Sequence, residues 1–154
     1  MSKTQSPPNT AIELQERMIA FIRAYGFQQP EQTPCGQPIS VSEAHAITEL
    51  NRETGLTQQE LSTRLRLEKS TTSRLVGLLE ARGWLERQVN PHDARSICLV
   101  LTKAGLQSAQ QVIQARREKF NQLLERIPKQ ERRAVLSALE TLTEALHETE
   151  HQPA

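Results

Sequence analysis

Residues 56–105 read LTQQELSTRLRLEKSTTSRLVGLLEARGWLERQVNPHDARSICLVLTKAG, and the order of patterns in this stretch decides the fold. Thr57 and Glu60 have the spacing of a capping box, in which each side chain hydrogen-bonds a free backbone N–H of the other residue at a helix start. A second helix is predicted over about residues 69–82, followed by Gly83 at the position after a helix end where glycine is favoured. Because the turn between the two helices is short, the stretch predicts a helix-turn-helix.

The period of the apolar residues changes from helical to alternating after the second helix. Residues 84–89 and 96–101 have the pattern of strands, and the Asn-Pro-His-Asp-Ala segment between them has the composition of a turn. A helix-turn-helix followed by a β-hairpin is the element order of a winged helix. The predicted fold is therefore mainly α with a small β-hairpin wing, flanked by further helices.

The candidate contacts with DNA lie at the start of the second helix, which can enter the major groove, and at the hairpin tip, which can reach the neighbouring minor groove. Small hydroxyl side chains let a helix end approach base edges, and free N–H groups there can meet phosphate. Arg74 can donate two hydrogen bonds to the O6 and N7 atoms of guanine. Asp93 and Arg95 point to the same side of an extended chain, so the carboxylate is predicted to hold the guanidinium for a narrow minor groove. The predicted DNA-contacting residues are Lys69, Ser70, Thr71, Ser73, Arg74, Asp93 and Arg95.

Residues 56–105 resemble the MarR family of transcriptional regulators. The resemblance lies in the two helices, the Arg-Gly turn into the wing, the Asp-x-Arg wing tip and the Leu-Thr-x-x-Gly exit, and helices of suitable length extend it over about residues 11–147. It implies a homodimer that straddles a pseudo-palindromic operator in double-stranded DNA, usually as a repressor released by a small, often phenolic, ligand or by an oxidant. The implied ligand pocket lies near Tyr25, His45, Leu106 and Ala109.

Two features depart from the family pattern. Glu68 occupies a position where serine or another capping residue is common, which leaves the start of the second helix open. The proline-rich connection before Ser40 is also longer than the family pattern leads us to expect.

The predicted organisation is a disordered tail over residues 1–10 and one MarR-like domain over residues 11–154. Within this domain, residues 40–102 form the winged-helix DNA-binding region, and residues 11–26 and 103–147 form dimerisation helices. Four further helices are expected. The first starts at Thr10 and the second at Ser40 or Ser42. The third is capped by Thr102 and ends near residue 126, and the fourth starts at Pro128. In the second helix of the winged region, Thr72, Leu75, Leu78 and Leu79 are predicted to point inward.

The chain has 19 lysines and arginines against 18 aspartates and glutamates, a net charge of +1, so charge permits nucleic-acid binding without demanding it. The sequence predicts neither a secretory signal nor a membrane span, and its two cysteines fit a reducing cytoplasm. We therefore predict a cytoplasmic protein without a cofactor.

Other classes of function stay open at this stage. One alternative is a winged helix that contacts proteins and never binds DNA, which the near-neutral charge supports. Another is a hydrolase, because residues 147–151 read His-Glu-Thr-Glu-His, the H-E-x-x-H pattern of zinc proteases. Such a site needs a third ligand and a rigid interior helix, so we interpret the motif near the chain end as accidental and predict no enzyme.

The two cysteines suggest a further alternative. Cys35, in a proline- and glycine-rich loop, could respond to oxidants, or could bind a metal together with Glu43 and His45. The long helix after Thr102 offers no histidine to complete four-coordination, which weakens the metal hypothesis. Cys98 lies in a predicted strand and is expected to be a packed apolar residue.

Overall fold

The computed structural model describes residues 10–149, which fall into two compact units, one ending at Ala115 and the other beginning at Arg116. The predicted tail lies outside the described residues except for Thr10, as do the last two residues of the His-Glu-Thr-Glu-His motif. The described elements are α1 (Thr10–Tyr25), α2 (Val41–Arg52), β1 (Leu56–Thr57), α3 (Gln58–Leu65), α4 (Lys69–Ala81), β2 (Leu85–Asn90), β3 (Asp93–Leu101), α5 (Lys103–Arg126) and α6 (Arg132–Thr149). They confirm the mainly α fold with a small wing.

Capping residues set the starts of α2 and α3. Ser40 and Glu43 form a capping box at α2, which selects Ser40 over Ser42, and Thr57 and Glu60 form the predicted box at α3. Helix α4 begins directly after Glu68, which takes the N-cap position in an extended conformation without a side-chain cap bond. Helix α4, the second helix of the predicted helix-turn-helix, therefore starts at Lys69. This agrees with the predicted range of about residues 69–82 and settles the start that Glu68 had left open.

The three strands form one antiparallel sheet in the order β1-β3-β2. Leu56 of β1 pairs with Leu99, and Val89 of β2 pairs with Ile97 across the wing. Strand β3 begins at Asp93, so the wing turn is shorter than the predicted five-residue segment. Strand β1 has two residues, too few to produce an alternating pattern, and for that reason the sequence did not predict it.

The core of the first unit lies between α2, α3, α4, the sheet and the beginning of α5. Thr72, Leu75 and Leu79 of α4 are buried as predicted, but the inward placement of Leu78 is wrong, because this side chain is 57% exposed. The buried stripe of α4 is centred between Leu75 and Val76, and Leu78 falls beyond its edge on the outward face. The core residues are Ile39, Ala44, Ala46, Ile47, Leu50, Leu56, Leu61, Leu75, Val76, Leu79, Leu85, Leu99, Leu101, Ala109 and Val112.

The last helix begins later than the sequence predicts. Pro128 starts a turn, closed by the hydrogen bond from the backbone N–H of Glu131 to the Pro128 carbonyl (2.9 Å), and α6 begins at Arg132. The side chain of Arg132 donates to the carbonyl oxygen of Ile127 (3.1 Å) and so fixes this turn. Proline tolerates a first helical position, but here the four residues from Pro128 close on themselves before the helix starts.

Candidate nucleic-acid interface

The predicted recognition residues of α4 lie together at the start of the helix. Lys69, Ser70, Ser73 and Arg74 are exposed and Thr71 is half-buried, whereas Thr72 faces the core. Ser70 and Arg74 lie four residues apart and therefore share one side of the helix. Within residues 10–149, the guanidinium of Arg74 makes no hydrogen bond or ion pair with the protein, so its donors are free for an external acceptor.

The N-terminal end of α4 is open to an anion. The first helical bond joins the N–H of Thr72 to the carbonyl of Glu68 (2.9 Å), so the three preceding N–H groups have no intrahelical acceptor. Glu68 provides no side-chain cap to replace one. A cavity of α3 and α4 lies beside this end and is lined by Gln58, Gln59, Ser62, Thr63, Lys69 and Thr72. Free N–H groups beside a lysine suit a phosphate oxygen.

Two side chains fix the backbone of the wing tip. The carboxylate of Asp93 accepts a hydrogen bond from the backbone N–H of Arg95 (3.0 Å), and the Asn90 side-chain oxygen accepts one from the N–H of His92 (2.9 Å). This arrangement differs from the predicted ion pair, since Asp93 binds the backbone of Arg95 rather than its guanidinium. Arg95 lies near the start of β3, next to this turn, and its side chain is exposed.

An arginine at the side of the wing ties it to the helix-turn-helix. The Nε atom of Arg87 donates to Oε1 of Glu80 in α4 (3.1 Å), and its Nη1 atom donates to the side-chain oxygen of Gln58 in α3 (3.3 Å). The sequence did not predict this contact, because the strand pattern of β2 contains no signal for the partners of a charged side chain.

A second arginine joins α2 to residues 82–84, the segment between α4 and β2 that we call the wing root. Arg82, the residue after α4, donates from Nε to Oε1 of Glu43 (2.6 Å), and its guanidinium carbon lies 5.1 Å from the centre of the Trp84 ring. Burial alone would raise the pKa of the Glu43 carboxyl, but hydrogen bonds from Ser40 and Arg82 outweigh it, and the pKa lies below its usual value. The sequence analysis considered Glu43 only as a candidate metal ligand, because the sequence contains no signal for its pairing with a residue 39 positions away.

The cysteines and the candidate metal ligands do not converge on one site. Cys35 is half-buried, with its sulfur 3.0 Å from the hydroxyl of Thr33, and Cys98 is buried as predicted. Glu43 is engaged by Ser40 and Arg82, and His45 is exposed. No group of three or more potential ligand side chains among residues 10–149 is arranged to hold a metal ion.

Aromatic rings cluster at the end of α1. Tyr25 stacks on Phe21, with 5.8 Å between ring centres, and meets the tilted ring of Phe27 at 4.8 Å. Of the other residues assigned to the implied ligand pocket, Leu106 is exposed and Ala109 is fully buried.

The helices described between residues 10 and 149 are each too short or too polar to traverse a membrane.

A helix-turn-helix with an antiparallel hairpin directly after its second helix defines a winged helix-turn-helix protein. The model of the MarR family matches residues 37–96, which contain α2, α3, α4 and most of the wing. An uncharacterized HTH-type transcriptional regulator of Mycobacterium leprae is 27% identical over 122 residues, which cover 79% of this chain and 80% of that protein.

Solved structures agree with these matches. A MarR transcriptional regulator from Methanosarcina mazei Go1 is 26% identical, with a TM-score of 0.68 over 89% of this chain and 99% of that one. FabT of Streptococcus pneumoniae, solved in complex with DNA, shares the fold at 21% identity and a TM-score of 0.68, over 91% of this chain and 93% of that one. Residues 37–96 therefore match the MarR family, and over most of its length the chain is similar to HTH-type and MarR-family transcriptional regulators.

Proposed function

We propose that this regulator binds double-stranded DNA as a homodimer and represses transcription in the cytoplasm. The observation that carries the proposal is the free guanidinium of Arg74 on the exposed side of α4, one turn from a helix end with unsatisfied N–H groups. Arginine and backbone N–H donors are the groups that read guanine edges and bind phosphate, respectively. In this proposal, α4 lies in the major groove of a pseudo-palindromic operator.

The wing supplies the second contact of the proposed complex. Arg95 lies in β3, beside the two-residue turn that the Asp93 carboxylate and the Asn90 amide hold in shape. A pre-formed turn presents the arginine with less loss of conformational freedom than a flexible loop would. We assign Arg95 to the adjacent minor groove, whose negative potential attracts a guanidinium, and Asp93 to the positioning of the turn.

Unpartnered apolar faces support the homodimer. Helix α1 buries none of its residues, and Ile12, Phe21 and Ile22 are among its exposed apolar side chains. Helix α6 also buries none, and it exposes Leu136 and Leu139. Faces of this kind favour contact with another apolar surface. We propose that residues 11–26 and 103–147 pair with those of a second copy, while residues 40–102 form the DNA-binding region.

Release by a small molecule is the remaining part of the proposal. The cluster of Phe21, Tyr25 and Phe27 offers aromatic faces on which a planar phenolic molecule can stack. Oxidation at Cys35 is the alternative trigger, and its half-buried sulfur beside Thr33 is the only observation in its favour among the described residues.

Selection from a random pool of duplex oligonucleotides tests this function directly. We expect the purified full-length protein to enrich a motif with two inverted half-sites at low ionic strength, because association with DNA weakens as salt rises. Repeating the selection with a phenolate and with peroxide identifies the trigger by loss of enrichment. Enrichment of no motif would favour a winged helix that binds proteins instead, the reading to which the net charge of +1 lends support.

A further inference from the structure

Two glutamates complete capping boxes in the described part of this chain, and they differ in their surroundings. Glu60 is exposed and hydrogen-bonds Thr57 at the start of its own helix. The side chain of Glu43 is only 7% exposed; its Oε2 accepts the N–H of Ser40 (3.0 Å), and its Oε1 accepts Nε–H of Arg82 (2.6 Å). The charge of Glu43 therefore connects the start of α2 to a residue 39 positions later in the chain.

Arg82 lies where α4, the proposed recognition helix, ends and the wing begins. It caps the C-terminal end of α4 with helical backbone angles, and Gly83 then turns the chain with a φ of 72°. The next residue, Trp84, presents its ring to the Arg82 guanidinium, a geometry in which the cation is attracted to the ring face. Arg82 thus lies between the carboxylate of α2 and the first side chain of the wing.

The N-terminal end of α5 holds the same point of the chain from another direction. The hydroxyl of Thr102 donates to the carbonyl of Gly83 (2.6 Å), and the N–H of Thr102 donates to the carbonyl of Trp84 (3.0 Å). These bonds fix the backbone of the wing root. The Glu43–Arg82 ion pair adds a side-chain contact between the wing root and α2.

We propose that Glu43 and Arg82 are positioning residues for DNA recognition, which set the direction in which the wing leaves the recognition helix; this proposal rests on the function proposed above. Six residues of β2 separate the root from the tip, a span of about 20 Å at ~3.3 Å per residue. A tilt of about 10° at the root moves the tip by about 3 Å, the length of a hydrogen bond. Loss of the pair therefore withdraws Arg95 from DNA while α4 keeps its own contacts.

The test is a double-mutant cycle on the operator that the wild type selects. The Glu43→Gln variant keeps an oxygen for the N–H of Ser40 but lacks the charge that holds Arg82. We expect Arg95→Ala to weaken binding about tenfold in the wild type and less than about twofold in the Glu43→Gln background. The Arg74→Ala penalty should be the same in both backgrounds. An equal Arg95→Ala penalty in both would overturn the proposal.

The matched control is Glu60→Gln, which removes the charge from the other capping box. It should leave the Arg95→Ala penalty at its wild-type size, since Glu60 makes no contact with the wing root. Arg82→Gln should reproduce Glu43→Gln, and the double variant should bind as well as either single one. Additive losses would show that Glu43 and Arg82 act separately and would overturn the proposal.

Trp84 is the only tryptophan of the chain, so its fluorescence reports on the pair without DNA. We expect Glu43→Gln to raise acrylamide quenching of Trp84 while circular dichroism stays at the wild-type level, and unchanged quenching would count against the proposal. If Glu43→Gln does not fold, Arg82→Lys, which retains the charge but lacks the planar guanidinium, takes its place in the cycle. A wild type that selects no motif refutes the proposed function as a whole, whereas an undiminished Arg95→Ala penalty refutes the positioning role alone.

Discussion

Gly105 lies so close to the carbonyl oxygen of Trp84 that a Cβ at this position would overlap that oxygen and contact the side chain of Leu101. The N–H of Gly105 also donates to the hydroxyl of Thr102 (3.1 Å), which confirms Thr102 as the cap of α5. The Leu-Thr-x-x-Gly exit of the wing is therefore a packing requirement: the threonine caps the helix, and the glycine makes room for the wing root.

Gly105→Ala should destabilise the protein by about 1–3 kcal/mol, because the added methyl group meets backbone that cannot move away cheaply. The matched control is Gly77→Ala in α4, where a Cβ would meet nothing within 4 Å. That substitution should stabilise the protein by about 0.5–1 kcal/mol through helix propensity. Urea denaturation at one protein concentration measures both changes, and equal effects of the two substitutions would contradict the packing assigned to Gly105.

Two neighbouring leucines of α4 provide a second prediction. Both are leucines, but Leu79 is fully buried in the core and Leu78 is exposed. Leu79→Ala should lower the free energy of unfolding by about 2–5 kcal/mol, since it leaves a cavity. Leu78→Ala should change it by about 0.5 kcal/mol or less. Chemical denaturation compares them, and a large loss for Leu78→Ala would mean that this side chain is covered in the folded protein.

The features that the sequence predicts best are those set by local patterns. The capping box of Thr57 and Glu60, the turn at Gly83 and the bounds of α5 all depend on residues a few positions apart, and the structure has them as predicted. Leu78 was assigned to the core because the sequence does not show whether an apolar residue at the edge of a buried stripe lies inside the stripe or outside it. The turn at Pro128 was missed because proline suits a turn as well as a helix start.

The contacts that organise the candidate site were beyond a reading of local patterns. Arg82 meets Glu43 across 39 positions, and Arg87 meets Gln58 across 29. A charged residue in a sequence can be solvated or paired, and its partner is decided by tertiary packing rather than by its neighbours in the chain. The Asp93–Arg95 spacing led to the prediction of an ion pair, but the Asp93 carboxylate accepts the backbone N–H of Arg95 instead, a bond that an i, i+2 spacing permits equally well.

The glutamates of the two capping boxes predict a dependence of stability on pH. The pKa of Glu43 is lowered on balance: burial raises it, and the hydrogen bonds from Ser40 and Arg82 outweigh that effect. The pKa of Glu60 is lowered by its bonds to the backbone and hydroxyl of Thr57. A depressed pKa means that the unfolded state takes up protons first as pH falls. The stabilisation is therefore complete above about pH 4.3, the usual glutamate pKa, and is lost below it.

Denaturation curves collected between neutral pH and pH 3 measure this effect. Glu43→Gln should be less stable than the wild type at neutral pH, and the difference should shrink as the pH falls through the folded-state pKa of Glu43. A difference that is constant over the whole range would show that the charge of Glu43 does not contribute and that the substitution acts through packing alone.

Arg74 provides the prediction on base recognition. Arg74→Ala should weaken binding to the selected operator by about 1–3 kcal/mol and binding to random duplex DNA much less, because a bidentate contact to guanine is specific for sequence. Replacing the contacted guanine by 7-deazaguanine, which lacks N7, should weaken the wild type and leave Arg74→Ala unaffected. Arg52→Ala in α2 controls for the loss of one exposed positive charge. Equal losses on both kinds of DNA would remove Arg74 from base recognition.

The proposed dimer makes the last prediction, because two recognition helices must meet half-sites about one turn of DNA apart, ~34–36 Å, or a multiple of it. Sedimentation should find a dimer at micromolar concentration. Leu139→Glu places a charge on the apolar face of α6 and should give a folded monomer, since a buried unpaired charge costs more than the contact contributes. Val89→Glu changes an exposed apolar residue of the wing and should leave the dimer intact. If Leu139→Glu stays dimeric, the two copies pair through another surface, and if the wild type is a monomer, one chain cannot read both half-sites.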